Sequence, residues 1–211
     1  AADHGVYAQG VTPWPREVSV QMAAGIAVGF AGVAVISRAN GAQVEVIDVG
    51  LLTHPELTTD KSIAPGTADF TEGPAMTREQ ALTAIAVGVE AATAAINAGA
   101  DVLVPGEVGL ANTTPAAALT AVADVTGRGS GADDPMLARK VAAIEKGIAV
   151  NAVDASDVVG ALAAVGGFEH AAMVGLILEA AARRVPVVLD GVIACSAALA
   201  AAALAPASKG Y

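Results

Sequence analysis

Short β-branched runs alternate along the chain with longer stretches in which Ala, Val, Ile and Leu recur at helical spacing. Val44 to Val49 reads as a strand ending at Gly50. Val102-Leu103-Val104 reads as a second, stopped by Pro105-Gly106, and Val187-Val188-Leu189 as a third, between Pro186 and Asp190-Gly191. Helical patterns cover residues 17–39, 77–98, 113–123, 134–150, 168–184 and 193–204. Thr77 and Gln80 have the S/T-x-x-E/Q spacing of a capping box, and Asn97 with Gly99 closes the helix they start. This alternation predicts an α/β fold: a parallel sheet with helices on both faces, its strands buried and therefore continuously apolar. Residues 51–76, rich in Thr, Pro, Asp and Gly, read as a long loop of the functional or mobile kind. Val18 to Ser37 carries no charge over 20 residues, about the length a bilayer needs. Ala and Gly dominate it, Gln21 interrupts it, and no aromatic belt or one-sided basic flank bounds it. The expectation is a fully buried helix rather than a membrane span.

Composition narrows the chemistry. The 211 residues suffice for one domain, and 55% hydrophobic content excludes disorder. Eleven Lys and Arg against 21 Asp and Glu give a net charge of −10, which argues against nucleic acid and anionic membrane surfaces as partners. A phosphorylated small molecule stays compatible, because backbone amides can hold it locally. Cys195 is the single cysteine, so neither an internal disulfide nor a CxxC metal site is available. With no basic leader before Ala1-Ala2-Asp3-His4-Gly5, the expected compartment is the cytoplasm.

In open parallel sheets, ligands bind beyond the carboxyl ends of the strands. Asp48, Gly50, Gly106, Glu107, Gly109, Asp190 and Gly191 occupy such places. The strongest motif is Pro105 to Pro115, which leaves a strand, runs through Gly106 and Gly109, and starts a helix at Asn112 or Thr113. It suits a phosphate, through exposed amides and the helix N-terminus, and it equally suits an ordinary capped turn. Gly127-Arg128-Gly129-Ser130-Gly131-Ala132 has G-x-G-x-x-A spacing, but it follows no strong strand and leads into Asp133-Asp134, which repel a pyrophosphate. The remaining readings are a loop that delivers Lys140 to an anion and a solvated Arg139-Lys140 pair. Gly166-Gly167-Phe168-Glu169 marks either close backbone approach to a ligand or a helix start favoured by Glu169. Asp3-His4, Asp48 and His54-Pro55-Glu56 lack metal-ligand spacing, so no metal is expected. Neither a GxSxG elbow nor a P-loop lysine is present.

Four blocks together resemble the nicotinate-nucleotide–dimethylbenzimidazole phosphoribosyltransferase family of cobalamin nucleotide-loop assembly. They are Ala2-Asp3-His4-Gly5-Val6, Gly73 to Ala81, Gly106 to Pro115, and Gly166 to Glu169 with Val187 to Gly191. The resemblance implies a Rossmann-like parallel α/β domain with part of a smaller helical domain, and a homodimer. The reaction it implies moves phosphoribose from nicotinate mononucleotide to dimethylbenzimidazole, with no metal or organic cofactor. It implies that Gly106, Gly109, Asn112, Thr113 and Lys140 hold the 5′-phosphate side of the nucleotide and that Glu107 lies at the ribose and bases. Gly166, Gly167, Asp190 and Gly191 join the substrate-binding set, and Pro13, Trp14, Gln21 and Met22 fall where the benzimidazole pocket is built. Family members are longer and carry a Gly-Glu-Gly general base, to which no residue here corresponds, so the expectation is an incomplete chain with Glu107 as the available carboxylate. A nucleotide-binding relative without that base is the alternative. Val108 and Ala111 stand where the family prefers Met and Gly.

Overall fold

The computed structural model describes residues 1–121 and 133–211; the Gly127 to Ala132 motif lies outside the described residues. Strand pairing is sparse and, among the described residues, parallel throughout. β1 (Ile47–Asp48) pairs with β2 (Thr59–Asp60), placing Asp48 beside Asp60. The N-terminal segment runs along the other side of β1, with Asp3 N donating to Gly50 O at 2.9 Å and Val49 N to Ala1 O at 2.9 Å. Ala2 N reaches on to Val108 O at 3.0 Å, so this segment links β1 to the chain leading into the glycine loop. A separate parallel bridge joins Leu103 to Val187.

The predicted strands are therefore in place but shorter than the apolar runs. Their expected full burial fails at Val102, Val104, Val188 and Leu189, which are exposed. Side chains alternate across a strand. Leu103 turns inward onto Ala92 and Ala180, and its neighbours turn outward, where no described element covers them.

The helices follow the pattern more closely. α3 (Arg78–Asn97) starts at the expected capping box: Gln80 N donates to Thr77 Oγ1 at 3.1 Å and Thr77 N to Gln80 Oε1 at 2.8 Å. α4 (Thr113–Ala121), α5 (Asp134–Val150), α7 (Phe168–Ala182) and α8 (Gly191–Leu204) fall on predicted segments. α6 (Val158–Val165) was not anticipated. Its eight residues are nearly all apolar and almost all buried, so they show no amphipathic period, and its start is fixed by Asp157 accepting from Gly160 N at 3.0 Å. The core is built on α7 and α3. A Cβ on Gly88 would fall on the Ala172 carbonyl, and one on Gly175 on the Ile85 carbonyl. The two helices thus touch backbone to backbone, which only glycine permits.

The apolar stretch 17–39 is corrected. It is long and apolar enough to cross a membrane by length and composition, yet it forms two helices, α1 (Glu17–Val28) and α2 (Gly32–Ala39). Gly29, at φ 93°, ends α1 by donating to Gly25 O and Ile26 O. Nor is the pair buried: Met22 is 48% exposed, Phe30 73% and Ile36 65%. Nothing described in this chain lies over that face.

Candidate active site

The glycine loop is held from both sides. On one side it meets the N-terminal segment, where a Cβ on Gly109 would collide with the Ala2 carbonyl and lie 3.4 Å from His4 Nε2. On the other, Leu110 N donates to Ser19 Oγ at 3.0 Å, tying the loop to α1. Ser19 was not anticipated as a site residue. Its signal in the sequence is a small polar side chain on an otherwise apolar helix, and it is buried. Ala111 adopts the left-handed conformation, φ 71°, at the position where a glycine was expected. The amides of Ala111, Asn112 and Thr113 have no main-chain acceptor among the described residues, as first-turn amides generally lack one.

Lys140 reaches this helix start from α5. It is 2% exposed, and its Nζ donates to Thr113 Oγ1 at 2.5 Å. No carboxylate pairs with it among the described residues, and desolvation lowers its pKa. A buried ammonium without a counter-ion is unfavourable by itself and favourable to an incoming anion. Here it stands beside amides that have no acceptor among the described residues and a helix N-terminus, and all three features attract an anion. Of the two readings of Arg139-Lys140, the solvated pair is excluded for Lys140. Arg139 points elsewhere, its Nε donating to Gly10 O at 2.9 Å.

Glu107 is half-buried beside the same loop and accepts a hydrogen bond from Asn112 Nδ2. Its pKa is raised, first by burial and then by the charge of Glu169, while the Asn112 bond, His170 and the Ala1 amino group pull the other way.

Behind both glycine segments lies a cluster that sequence inspection did not assemble. His4 Nε2 is 2.8 Å from Glu169 Oε1, and His170 Nδ1 is 3.1 Å from the same oxygen. All three side chains are buried, and the two rings meet edge to face with centroids 6.1 Å apart. Burial pushes the Glu169 carboxyl up, but His4 and His170 outweigh it and hold it well below the usual carboxylate range. Gly167 fits because a Cβ there would lie 2.6 Å from Glu169 Oε2 and 2.9 Å from His170 Nδ1. Gly166 and Gly167 are themselves buried, so this motif serves close packing at least as much as ligand approach.

The remaining predicted residues are dispersed. Gly106 is exposed with open space around it. Pro13, Trp14, Gln21 and Met22 lie exposed along the entry to α1 and on its outer side. Asp190 and Gly191 are exposed at the start of α8, and no described hydrogen bond joins them to the glycine loop. Asp48 is fully buried, its Oδ1 accepting from Gly50 N and Leu51 N and its Oδ2 lying 2.8 Å from His54 Nδ1. Strand register adds Asp60, so that ligand-type atoms of Asp48, His54 and Asp60 lie within 4.8 Å of one another, a proximity that no sequence spacing encodes. A groove of about 520 Å³ between Lys61 to Ile63 and the Glu79, Thr83 and Glu90 face of α3 contains none of the glycine-loop residues.

This geometry can be set beside known proteins. A family model described as phosphoribosyltransferase, DBI_PRT, matches residues 1–211. The nicotinate-nucleotide–dimethylbenzimidazole phosphoribosyltransferase of Salinispora tropica is 48% identical, over 100% of this chain and 64% of that protein. The protein of the same description from Chloroflexus aggregans is 50% identical, over 100% of this chain and 62% of its own length. A crystal structure of CobT from Thermus thermophilus superposes with a TM-score of 0.89 at 39% identity, covering 97% of this chain and 64% of that one. A second structure from the same organism, described as the same phosphoribosyltransferase, gives a TM-score of 0.91 at 36% identity, over 98% and 64%. The chain thus spans somewhat under two thirds of the length of these relatives, and shares their α/β fold across nearly all of its own. With its family model matched end to end, the chain belongs to the DBI_PRT phosphoribosyltransferase family.

Proposed function

We propose that this chain carries the phosphoribose-binding part of an enzyme that transfers phosphoribose from nicotinate mononucleotide to dimethylbenzimidazole, giving α-ribazole 5′-phosphate and nicotinate in cobalamin biosynthesis. The observation that carries the reading is Lys140: a buried cation without a carboxylate partner among the described residues, held against Thr113 at the start of α4. The nucleotide 5′-phosphate is the ligand it suits, with Gly109 to Thr113 supplying amides and Gly106 leaving room. The names of the relatives support the choice of substrates.

In the transfer, the bond from the ribose anomeric carbon to the pyridinium nitrogen breaks, and nicotinate leaves with its electron pair. A benzimidazole nitrogen forms the new bond from the opposite face, and its other nitrogen gives up a proton. Glu107 is the carboxylate this site offers for that proton or for a ribose hydroxyl. Burial raises its pKa, which makes it a stronger base than an exposed carboxylate. Holding both rings in line across the sugar lowers much of the remaining barrier. Pro13, Trp14, Gln21 and Met22 are the residues proposed to meet the benzimidazole, and Gly166, Gly167, Asp190 and Gly191 to complete the substrate surface.

We propose further that residues 1–211 form one Rossmann-like domain, that it works in the cytoplasm, and that two copies associate. The exposed apolar face of α1 and α2 supports a second protein chain as partner, and the net charge of −10 disfavours nucleic acid and anionic membrane. Light scattering at micromolar concentration tests the dimer. The function is tested by calorimetry with nicotinate mononucleotide and by single-turnover formation of α-ribazole phosphate. Absence of nucleotide binding refutes the reading. Binding without turnover assigns the chain to a nucleotide-binding relative that lacks the base.

A further inference from the structure

We propose that Asp48, His54 and Asp60 form a binding site for a divalent transition-metal ion, best suited to Zn²⁺, where β1, β2 and the loop between them meet. The site shares no residue with the glycine loop and does not depend on the transfer reaction. One ligand-type atom from each of the three residues lies within 4.8 Å of the other two. Asp48 ends β1, Asp60 ends β2, and the parallel register sets them side by side. His54 returns to them from the intervening loop, its Nδ1 2.8 Å from Asp48 Oδ2.

Packing alone accounts poorly for this arrangement. Asp48 is fully buried, and its Oδ1 is already taken by the amides of Gly50 and Leu51, at 2.9 and 2.8 Å. That leaves Oδ2, whose one described partner is the imidazole. Burying a carboxylate is costly unless a cation compensates it, and the register adds a second carboxylate beside the first. Among the described residues no Lys or Arg pairs with either one. Lys61, next to Asp60 in sequence, is turned onto Glu90 at 3.0 Å, and the Ala1 amino group is held by Ile47 O at 2.7 Å. A divalent ion supplies the missing positive charge at the point where both carboxylates and the ring nitrogen converge.

The donor set selects the metal. Carboxylates alone suit Mg²⁺ or Ca²⁺, and an imidazole shifts the preference towards Zn²⁺ and its neighbours. Zn²⁺ accepts three protein ligands with a fourth position left to water, at bonds of about 2.0–2.2 Å, which sets ligand atoms roughly 3.3 Å apart. Asp48 and His54 are already within that range, and Asp60 is exposed and free to turn onto the ion. His54 is 37% exposed, so the ion has a path from solvent. On binding, the Nδ1 proton that faces Asp48 moves to Nε2 as the neutral ring changes tautomer, and the Nδ1 lone pair takes the metal. The ion then ties the 51–58 loop to both strands.

The test is calorimetric titration of the chelator-treated 211-residue protein with zinc chloride and, separately, with calcium chloride. One Zn²⁺ should bind per chain with a micromolar Kd, and Zn²⁺ should raise the melting temperature. H54Q and D60N change exposed positions and leave the buried Asp48 anchor in place. Each should weaken Zn²⁺ binding by roughly tenfold or more and lose the thermal shift. C195S should bind as the parent does, because the exposed thiol of α8 is not a ligand. The proposal is overturned if Zn²⁺ shows no saturable binding below millimolar concentration, if folded H54Q and D60N bind it like the parent, or if C195S loses it. Ca²⁺ bound as tightly as Zn²⁺ removes the imidazole from the ligand set and overturns the proposal as well.

Discussion

Replacing Lys140 by Met should weaken nucleotide binding and stabilise the protein at the same time. Met is unbranched and of similar length, so it keeps the packing of α5 while removing the charge. The lost contact to a phosphate is a hydrogen bond to a charged group, worth roughly 1.5–3 kcal/mol, which is about a 10- to 150-fold rise in Kd. The stability change has the opposite sign. Lys140 is 2% exposed, its one described partner is a hydroxyl, and its pKa is depressed by desolvation. Between the folded-state value and the ordinary value of about 10.4 the unfolded chain binds more protons, so wild-type stability rises with pH through that window. Below it the penalty is fully present. K140M should therefore be more stable than wild type by about 1–2 kcal/mol at neutral pH, the difference shrinking as pH approaches about 10. Urea melts at several pH values and calorimetry with nicotinate mononucleotide read the two effects separately. Unchanged nucleotide affinity removes Lys140 from the site. A variant less stable than wild type at neutral pH refutes the account of an uncompensated buried cation.

Three further outcomes follow from the same physical arguments. Ala111→Gly should raise stability by about 1 kcal/mol, because the residue sits at φ 71° and the left-handed conformation costs an L side chain about that much; a melting temperature that falls refutes it. Gly88→Ala should destabilise by about 3 kcal/mol or abolish folding, since its Cβ would fall on the Ala172 carbonyl and force α3 from α7, as chemical denaturation would show. Glu107→Gln should lower further the residual single-turnover transfer of a chain that lacks the family's Gly-Glu-Gly base, while leaving nucleotide affinity similar; equal rates in the two proteins refute a role for Glu107. The raised pKa of Glu107 means its stabilising influence is present in acid and lost as pH rises through the folded-state value, so E107Q should gain on wild type at neutral pH and match it in acid.

Local signals were sufficient for much of this protein. The α3 capping box could be read from Thr77 and Gln80 because its partners lie three residues apart. The glycine loop and the start of α4 were legible for the same reason, since a turn and a helix cap are decided by the residues that make them. Resemblance of four short blocks was enough to reach the family, which the matched model confirms. What escaped were properties of distance and burial. Whether Lys140 is solvated or buried depends on α5 docking against Thr113, 27 positions away. The His4–Glu169–His170 cluster needs α7 to come beneath the N-terminal segment, and Asp60 joins Asp48 only through strand register. α6 showed no period because it is buried on nearly every side. The stretch 17–39 misled for the reverse reason: apolar composition states that a surface wants cover, and only the tertiary structure decides whether this chain provides it.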